Sequence, residues 1–267
     1  SRSSIAGRPA QDWLEAAIVE LAALPHVTLM AATTVFGHYD QHYLGAVERL
    51  HETRPDAPVR ERFWKIRCEQ LILAAGAIER PIAFANNDRP GIMTASAVHE
   101  YIERYAVLPG RQAVVFTNND AAYACALSLQ RAGAEVCVVD SRANPGAVAQ
   151  SARQAGLAVH ADAQVTNTAG RLRVSSVRVR HADQRSQTLP CDLLAVSGGW
   201  NPSVHLHSHA RGSLQWDEAL ASFIPQQDLA GVASVGAMAG EFEPNAALAG
   251  ACKAAEQAAA ALGYSVA

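Results

Sequence analysis

Apolar positions change period several times along the chain, and each change marks an element. Between Ala10 and Leu24, the residues Trp13, Leu14, Ile18 and Leu21 recur at helical spacing, and Pro25 ends the segment. Val27 to Met30 follows as a strand. Thr33 to Phe36, Tyr43 to Val47 and Phe63 to Ile66 read as the strands of an antiparallel meander, joined by polar loops at Gly37 to Gln41 and Glu52 to Val59. Leu71-Ile72-Leu73 is a short continuous apolar run, the pattern of a strand covered on both faces. Ala74-Ala75-Gly76-Ala77 then removes side-chain bulk, as a backbone approaching a ligand or a second backbone requires.

Beyond the Arg89-Pro90-Gly91 turn, Thr94 can cap a helix with an apolar face of Val98, Tyr101, Ile102 and Tyr105, stopped by Pro109-Gly110. Ala113 to Phe116, Ala121 to Arg131 and Val136 to Val139 form a βαβ pattern that closes on Asp140. Its turn, Thr117-Asn118-Asn119-Asp120-Ala121-Ala122, has none of the glycines that let a pyrophosphate sit against a helix N-terminus. Asn118 and Asn119 can adopt left-handed conformations and Asp120 can cap the helix, so the fold survives without the phosphate cradle. Asp140 holds the place of a ribose-binding acid but reads as a strand-end turn residue.

A second helix runs from Pro145 to Gly156. Asn167 to Gly170 reads as a hairpin turn, with Leu172, Val174, Val177 and Val179 in the strand after it. Leu193 to Val196 leads into Ser197-Gly198-Gly199-Trp200-Asn201-Pro202. The last segment repeats the earlier theme: strand Gly231 to Val235, small-residue turn Gly236 to Gly240, and an alanine-rich helix from Asn245 to Leu262.

With 267 residues, 49% of them apolar, the chain is long enough for two modest domains or one large one, with a real core. A net charge of -3 gives no basic surface for a nucleic-acid backbone. No apolar run approaches the roughly 20 residues that span a bilayer, and SRSSIAGRPA lacks a signal-peptide core, so a cytoplasmic location is expected. The five scattered cysteines suit reduced, mostly buried positions rather than disulfides or a zinc site. His205, His207 and His209 alternate and would share one face of a strand, as metal ligands do. No cysteine or second cluster completes four ligands, and a solvated His-rich loop is expected. His38 and His42 read as exposed loop polarity, and Trp200 as a buried tryptophan at a domain seam, with a nicotinamide contact as the alternative. No spacing supports a catalytic triad, a carboxylate pair or a metalloprotease motif, so no catalytic residue is assigned.

The order of these elements resembles the two-dinucleotide-domain flavoproteins of the glutathione-reductase type. FANNDRPGIM, LPGRQAVVFTNNDAAYACAL, VSGGWNPSVHL and GVASVGAMAGEF resemble, over essentially the whole chain, the large (alpha) subunit of heterotetrameric sarcosine oxidase. The TNND turn is the most specific part; the related opine oxidase and hydrogen cyanide synthase subunits keep glycines there.

The fold this resemblance implies is α/β, a glutathione-reductase-type two-domain Rossmann-like architecture with an antiparallel β-meander. Residues 1–88 and 213–267 would form a first dinucleotide-binding domain, incomplete because the family's GxGxxG unit is absent. Residues 89–212 would be an inserted Rossmann-like domain. The family's folate-binding half is not present either, so the resemblance points to an internal piece of a larger protein.

As function, the resemblance implies a share in the oxidative demethylation of sarcosine to glycine. Hydrogen peroxide is formed, and the one-carbon unit goes to tetrahydrofolate or formaldehyde. NAD would sit on the complete large subunit, FAD and FMN elsewhere in the complex, and the partners would be the beta, gamma and delta subunits. By motif matching, Thr34 and Val35 would lie near the adenine, Ala75 and Gly76 at the crossover, and Gly236 and Ala237 at the last turn. Reductases of the superfamily place an aspartate where Ala237 stands, which lowers the case for FAD on this chain. The chain alone would be catalytically silent and would hold a dinucleotide weakly or not at all. A noncatalytic scaffold and a free-standing amine or opine oxidoreductase subunit are the other readings, and exposed apolar surface would make the piece self-associate.

Overall fold

The computed structural model describes residues 4–265 and divides into two units, one of residues 1–77 with 202–267 and the other of residues 78–201. The sequence placed these boundaries at 88/89 and 212/213, eleven residues later at each crossing. The reason is local. The stretch after Ala77 already bonds within the inserted unit, where the Ala85 N–H donates to the Thr166 carbonyl at 3.2 Å. After Asn201, helix His205–His209 packs on the first strand of the opening meander.

In the first unit a short antiparallel pair, Ser4–Ile5 with Arg8–Pro9, precedes α1 (Ala10–Ala23), which forms as its periodicity requires. Its expected apolar face is unburied, with Leu14, Ile18 and Leu21 all exposed. Val27 to Met30 forms no strand, because an extended segment becomes one only by pairing and no described segment pairs with it. The meander is present as β1 (Thr33–Tyr39), β2 (Tyr43–Arg49) and β3 (Glu61–Arg67), paired antiparallel in chain order. The expected loop at Gly37 to Gln41 is mostly strand. A bulge between Val35 and Gly37 adds one residue, and the turn tightens to Asp40–His42, with Gln41 and His42 in the left-handed region.

Strand β4 (Leu71–Leu73) closes this stretch. Leu73 is buried, but Ile72 is exposed, so only one face of the strand is covered.

The inserted unit is a five-stranded parallel sheet. In chain order its pieces are β5 (Ile92–Thr94), α2 (Ala95–Tyr105), β6 (Gln112–Thr117), α3 (Ala122–Arg131), β7 (Glu135–Asp140), α4 (Gly146–Gln154) and β8 (Ala158–His160). An antiparallel meander follows, β9 (Ala163–Ala169), β10 (Ser176–His181) and β11 (Ser186–Pro190), and β12 (Leu193–Ser197) returns to the sheet. The spatial order is β8-β7-β6-β12-β5. Along β6, Ala113 and Val115 pack with the helices while Val114 and Phe116 pack with the meander. Leu193 and Ala195 against Leu194 and Val196 repeat the split on β12. With both faces covered, every second residue loses its polar alternative, which is why these strands read as unbroken apolar runs.

Three local features differ from the sequence pattern. The α2 amides are capped not by Thr94 but by the Glu79 carboxylate, which accepts from the Ser96 N–H at 2.8 Å. That helix stops at Ala106, in the left-handed region, before Pro109 is reached. Asn167 lies inside β9, beside a bulge, and the hairpin turn comes later, leaving Leu172 in an exposed loop.

The chain then returns to the first unit through α5 (His205–His209), a hairpin of β13 (Leu214–Asp217) and β14 (Ser222–Pro225), β15 (Val232–Ser234) and α6 (Pro244–Ala261). β15 pairs parallel with β4, Val232 opposite Leu71 and Ser234 opposite Leu73. Leu73, Val232 and Met238 form the centre of a small core with Leu71, Leu206 and Leu229 around it.

Candidate functional site

Two places have the strand-turn-helix form that can hold a dinucleotide. The first is the turn after β6 in the inserted unit. The Asn119 amide donates to the carbonyl and hydroxyl oxygens of Ser197, both at 3.1 Å, and so ties this turn to the end of the neighbouring strand β12. The Asn119 Oδ1 accepts the Ala121 N–H at 3.1 Å, making Asn119, not Asp120, the residue that satisfies a free amide at the α3 entrance. Neither Asn118 nor Asn119 has positive φ, so the expected left-handed turn is not used.

Asp140, at the end of β7, is wholly buried. Its carboxylate accepts the Tyr123 hydroxyl at 2.8 Å, the Arg142 backbone N–H at 3.0 Å, and the Arg142 Nε and Nη2 at 3.1 and 2.8 Å. Burial, then the Asp140 hydrogen bond, pushes the Tyr123 phenol up, and hydrogen bonding to Asp140 raises the Arg142 guanidinium. Arg142 also reaches Asp120 at 2.8 Å. The acid that could bind a ribose is thus saturated by protein donors, and Asp120 and Arg142 close over the turn. The sequence pointed to a strand-end structural role for Asp140, but not to Tyr123 and Arg142, which meet it only through the βαβ crossover.

Gly198 and Gly199 also have a packing reason. A Cβ on Gly198 would lie 2.8 Å from the Arg80 carbonyl oxygen, and Gly199 has φ +95°. The Arg80 guanidinium donates to the Gly198 carbonyl and to Asn201 Oδ1, both at 2.9 Å. Trp200 is half-buried.

The second place is in the first unit. Parallel pairing of β4 and β15 brings their C-terminal ends side by side, so Ala75-Gly76 and Gly236-Ala237 leave from the same end of one strand pair. The Val235 N–H donates to the Leu73 carbonyl at 2.9 Å and fixes the second turn against the first. Gly76 and Gly236 both have positive φ. A Cβ on Gly76 would meet nothing within 4 Å, and one on Gly236 only the Ala247 Cβ at 3.8 Å. Both backbones are therefore open to approach, and the N-terminus of α6 carries no side-chain cap. A cavity of about 240 Å³ lies alongside, lined by Asp228, Ser234, Glu241, Lys253 and Gln257 among others.

Thr34 and Val35 lie on a different sheet, β1 of the meander, where the Thr34 hydroxyl accepts from Arg49 at 3.1 Å.

The histidines fall differently from expectation. His205, His207 and His209 are on helix α5 rather than a strand, with His207 fully buried and its ring packed against Gly212. Among the described residues no group of three or more His, Cys, Asp or Glu is arranged to hold a metal. His38 is buried rather than exposed, because the longer β1 carries it into the interior. One ring nitrogen, Nδ1, bonds the Leu206 carbonyl at 3.1 Å, while Nε2 has no partner among the described residues. Burial is the main cause that lowers its pKa, with His42, His207 and His209 adding to the effect. No disulfide forms among the described residues. Burial pushes the Cys125 and Cys191 thiols up to about 12, keeping them protonated at neutral pH.

No family model matches the chain. It is 42% identical over 255 residues to the sarcosine oxidase subunit alpha of Corynebacterium sp. (strain P-1), covering 91% of this chain and 26% of that protein. To the sarcosine oxidase subunit alpha of Rhizobium meliloti (strain 1021) it is 39% identical over 242 residues, covering 89% and 24%. Among solved structures, L-proline dehydrogenase from P. horikoshii superposes with a TM-score of 0.73 at 18% identity, over 100% of this chain and 48% of that one. Thioredoxin reductase from T. acidophilum gives 0.70 at 14%, over 94% and 80%. These two likenesses establish the fold, an α/β architecture with two Rossmann-like units. The chain spans about a quarter of the length of the sarcosine oxidase alpha subunits it matches. At 39 to 42% identity over nine-tenths of its residues, the chain belongs to the sarcosine oxidase alpha-subunit family.

Proposed function

We propose that this chain supplies the dinucleotide-holding core of a sarcosine oxidase alpha subunit. In that assembly sarcosine is oxidatively demethylated to glycine with formation of hydrogen peroxide, and the one-carbon unit passes to tetrahydrofolate or leaves as formaldehyde. The role of this chain is NAD binding and assembly with beta, gamma and delta subunits, and the chain alone has no oxidase activity. Residues 1–77 and 202–267 act as the first dinucleotide-binding domain and residues 78–201 as a Rossmann-like domain whose phosphate turn is degenerate.

The observation that carries this reading is the pair of open small-residue turns at one end of β4 and β15. There Ala75, Gly76, Gly236 and Ala237 offer backbone amides without obstructing side chains, as a dinucleotide's charged middle requires. Thr34 and Val35 complete the proposed set from the meander, at the adenine. The β6 turn fits a phosphate poorly: the Asp120 carboxylate repels it, and Asn119 already occupies its hydrogen-bonding positions. When bound, NAD would supply a hydride-accepting ring. The residues here hold and orient it, and no side chain at the turns is placed to move a proton. The absence of an acid at Ala237 sets this turn apart from one that holds a ribityl chain.

The test is to denature the assembled oxidase carrying this sequence and quantify released NAD, FAD and FMN by mass spectrometry. NAD in stoichiometric amount, lost in Gly236→Val with subunit assembly intact, is expected. NAD content unchanged by Gly236→Val, or lost instead in Asn119→Ala, overturns the assignment.

A further inference from the structure

The outer face of the first meander carries chemistry that dinucleotide binding does not use. Antiparallel register places Tyr39, Tyr43 and Arg67 in one rung across the three strands, and Gly37, Gly45 and Lys65 in the next. Residues directly opposite one another share a face, so both rungs present their side chains to the same side. The two glycines have a reason to be glycine. A Cβ on Gly37 would lie 2.5 Å from the Tyr39 hydroxyl and 2.6 Å from its ring, and a Cβ on Gly45 would lie 2.6 Å from the Phe36 ring. The aromatic rings therefore lie down over bare backbone instead of standing off it. Tyr39 and Tyr43 meet at 5.8 Å between centroids, inclined by 47°.

Lys65 and Arg67 flank these rings on β3, two residues apart. Among the described residues neither has an ion-pair partner or a side-chain hydrogen bond, unlike neighbouring Arg49 and Arg62, which are paired with Glu52 and Glu48. Tyr39, Asp40, Tyr43, Lys65 and Arg67 line an open cleft of about 580 Å³, within the range of roughly 300 to 1,000 Å³ usual for small-molecule sites. Asp40 is the one acid among the described residues that line it, so the wall is left with a net positive charge. Aromatic faces attract a planar ring and the cations an anionic group.

We propose that this end of the meander binds a small organic anion built on a planar ring, an aryl phosphate or aryl carboxylate, with the ring against Tyr39 and Tyr43 and the anion between Lys65 and Arg67. The cavity's size favours such a small molecule over a strand of another protein, which would need the length of the sheet edge. The site is separate in the chain from the Gly76 and Gly236 turns, and its occupancy does not require NAD.

The probe is phenyl phosphate, titrated into the isotope-labelled chain while backbone amide resonances are followed, with inorganic phosphate and benzyl alcohol as controls. Saturable shifts confined to amides of residues 39–43 and 65–67 are expected for phenyl phosphate, with weaker binding of either control. Lys65→Ala with Arg67→Ala should weaken binding about tenfold, the sum of two exposed ion pairs. Tyr39→Leu, which keeps Gly37 covered, should abolish the advantage of phenyl phosphate over phosphate. Equal binding of benzyl alcohol, no saturation by about 10 mM, or an unchanged affinity in the Lys65/Arg67 double variant overturns the proposal.

Discussion

Arg142→Ala is the substitution that tests whether Asp140 is a structural acid. Asp140 is completely buried and takes four hydrogen bonds, two of them from the Arg142 side chain. Removing that side chain leaves the carboxylate, among the described residues, with only the Tyr123 hydroxyl and one backbone N–H. Breaking a buried ion pair from one side costs roughly 3–5 kcal/mol. The Arg142 side chain is itself 30% exposed, and water entering in its place reduces the expected loss to about 2–4 kcal/mol.

With a urea slope of about 3 kcal/mol/M the midpoint for the inserted unit should fall by about 1 M. Hydrogen exchange should localise the change to β6, β7 and the turns at 117–121 and 140–142. Asp140→Asn should also destabilise, and the double variant should recover at least about 1 kcal/mol of the summed losses, since the two residues share one network. If Arg142→Ala costs under about 0.5 kcal/mol, no more than an exposed ion pair, then Asp140 is open to solvent. Its carboxylate is then free to meet a ribose.

Three further outcomes follow from particular contacts. His38 is held neutral in the folded state with its pKa below the ordinary value of 6.5, so the stability it contributes is present above that value and is lost as pH falls below it toward the folded pKa. Melting temperature should therefore drop from pH 7.5 to 5.5 more steeply in the wild type than in His38→Gln, and parallel profiles would rule His38 out as a source. Gly198→Ala forces a Cβ to within 2.8 Å of the Arg80 carbonyl and should destabilise by about 1–3 kcal/mol, read by denaturant unfolding, whereas Gly133→Ala, with open space around it, should lose only the strain of its positive φ. Leu14, Ile18 and Leu21 on α1 are exposed, so the isolated chain should self-associate in sedimentation experiments, and Ile18→Glu with Leu21→Glu should reduce it; an unchanged sedimentation profile would place the association elsewhere.

Elements with continuous or strictly periodic apolar residues are legible in the sequence alone. The βαβ unit from Gln112 to Asp140, the second helix before Gly156, the three meander strands and the final alanine-rich helix all appear within a few residues of their expected places. Val27 to Met30 did not become a strand because strand formation needs a ladder partner, which local pattern does not encode. The expected loop at Gly37 became strand because the bulge absorbed a residue, and that one shift carried His38 into the interior. The three alternating histidines mislead for a similar reason: a spacing of two means a shared face only on a strand, and on α5 it buries His207 while its neighbours stay outside.

For the candidate site, the chain's own residues sufficed to show that the TNND turn lacks a glycine cradle and that two small-residue turns follow short apolar strands. Composition and glycine placement act locally, through φ and side-chain bulk, so they can be read along one dimension. What closes the first turn and opens the second depends on residues far apart in sequence. Asn119 meets Ser197, Arg142 joins Asp120 to Asp140, and β15 lies beside β4 after more than 150 intervening residues. Hydrogen-bond saturation and side-by-side strand ends are properties of that tertiary pairing, because a buried acid takes whichever donors the fold delivers to it.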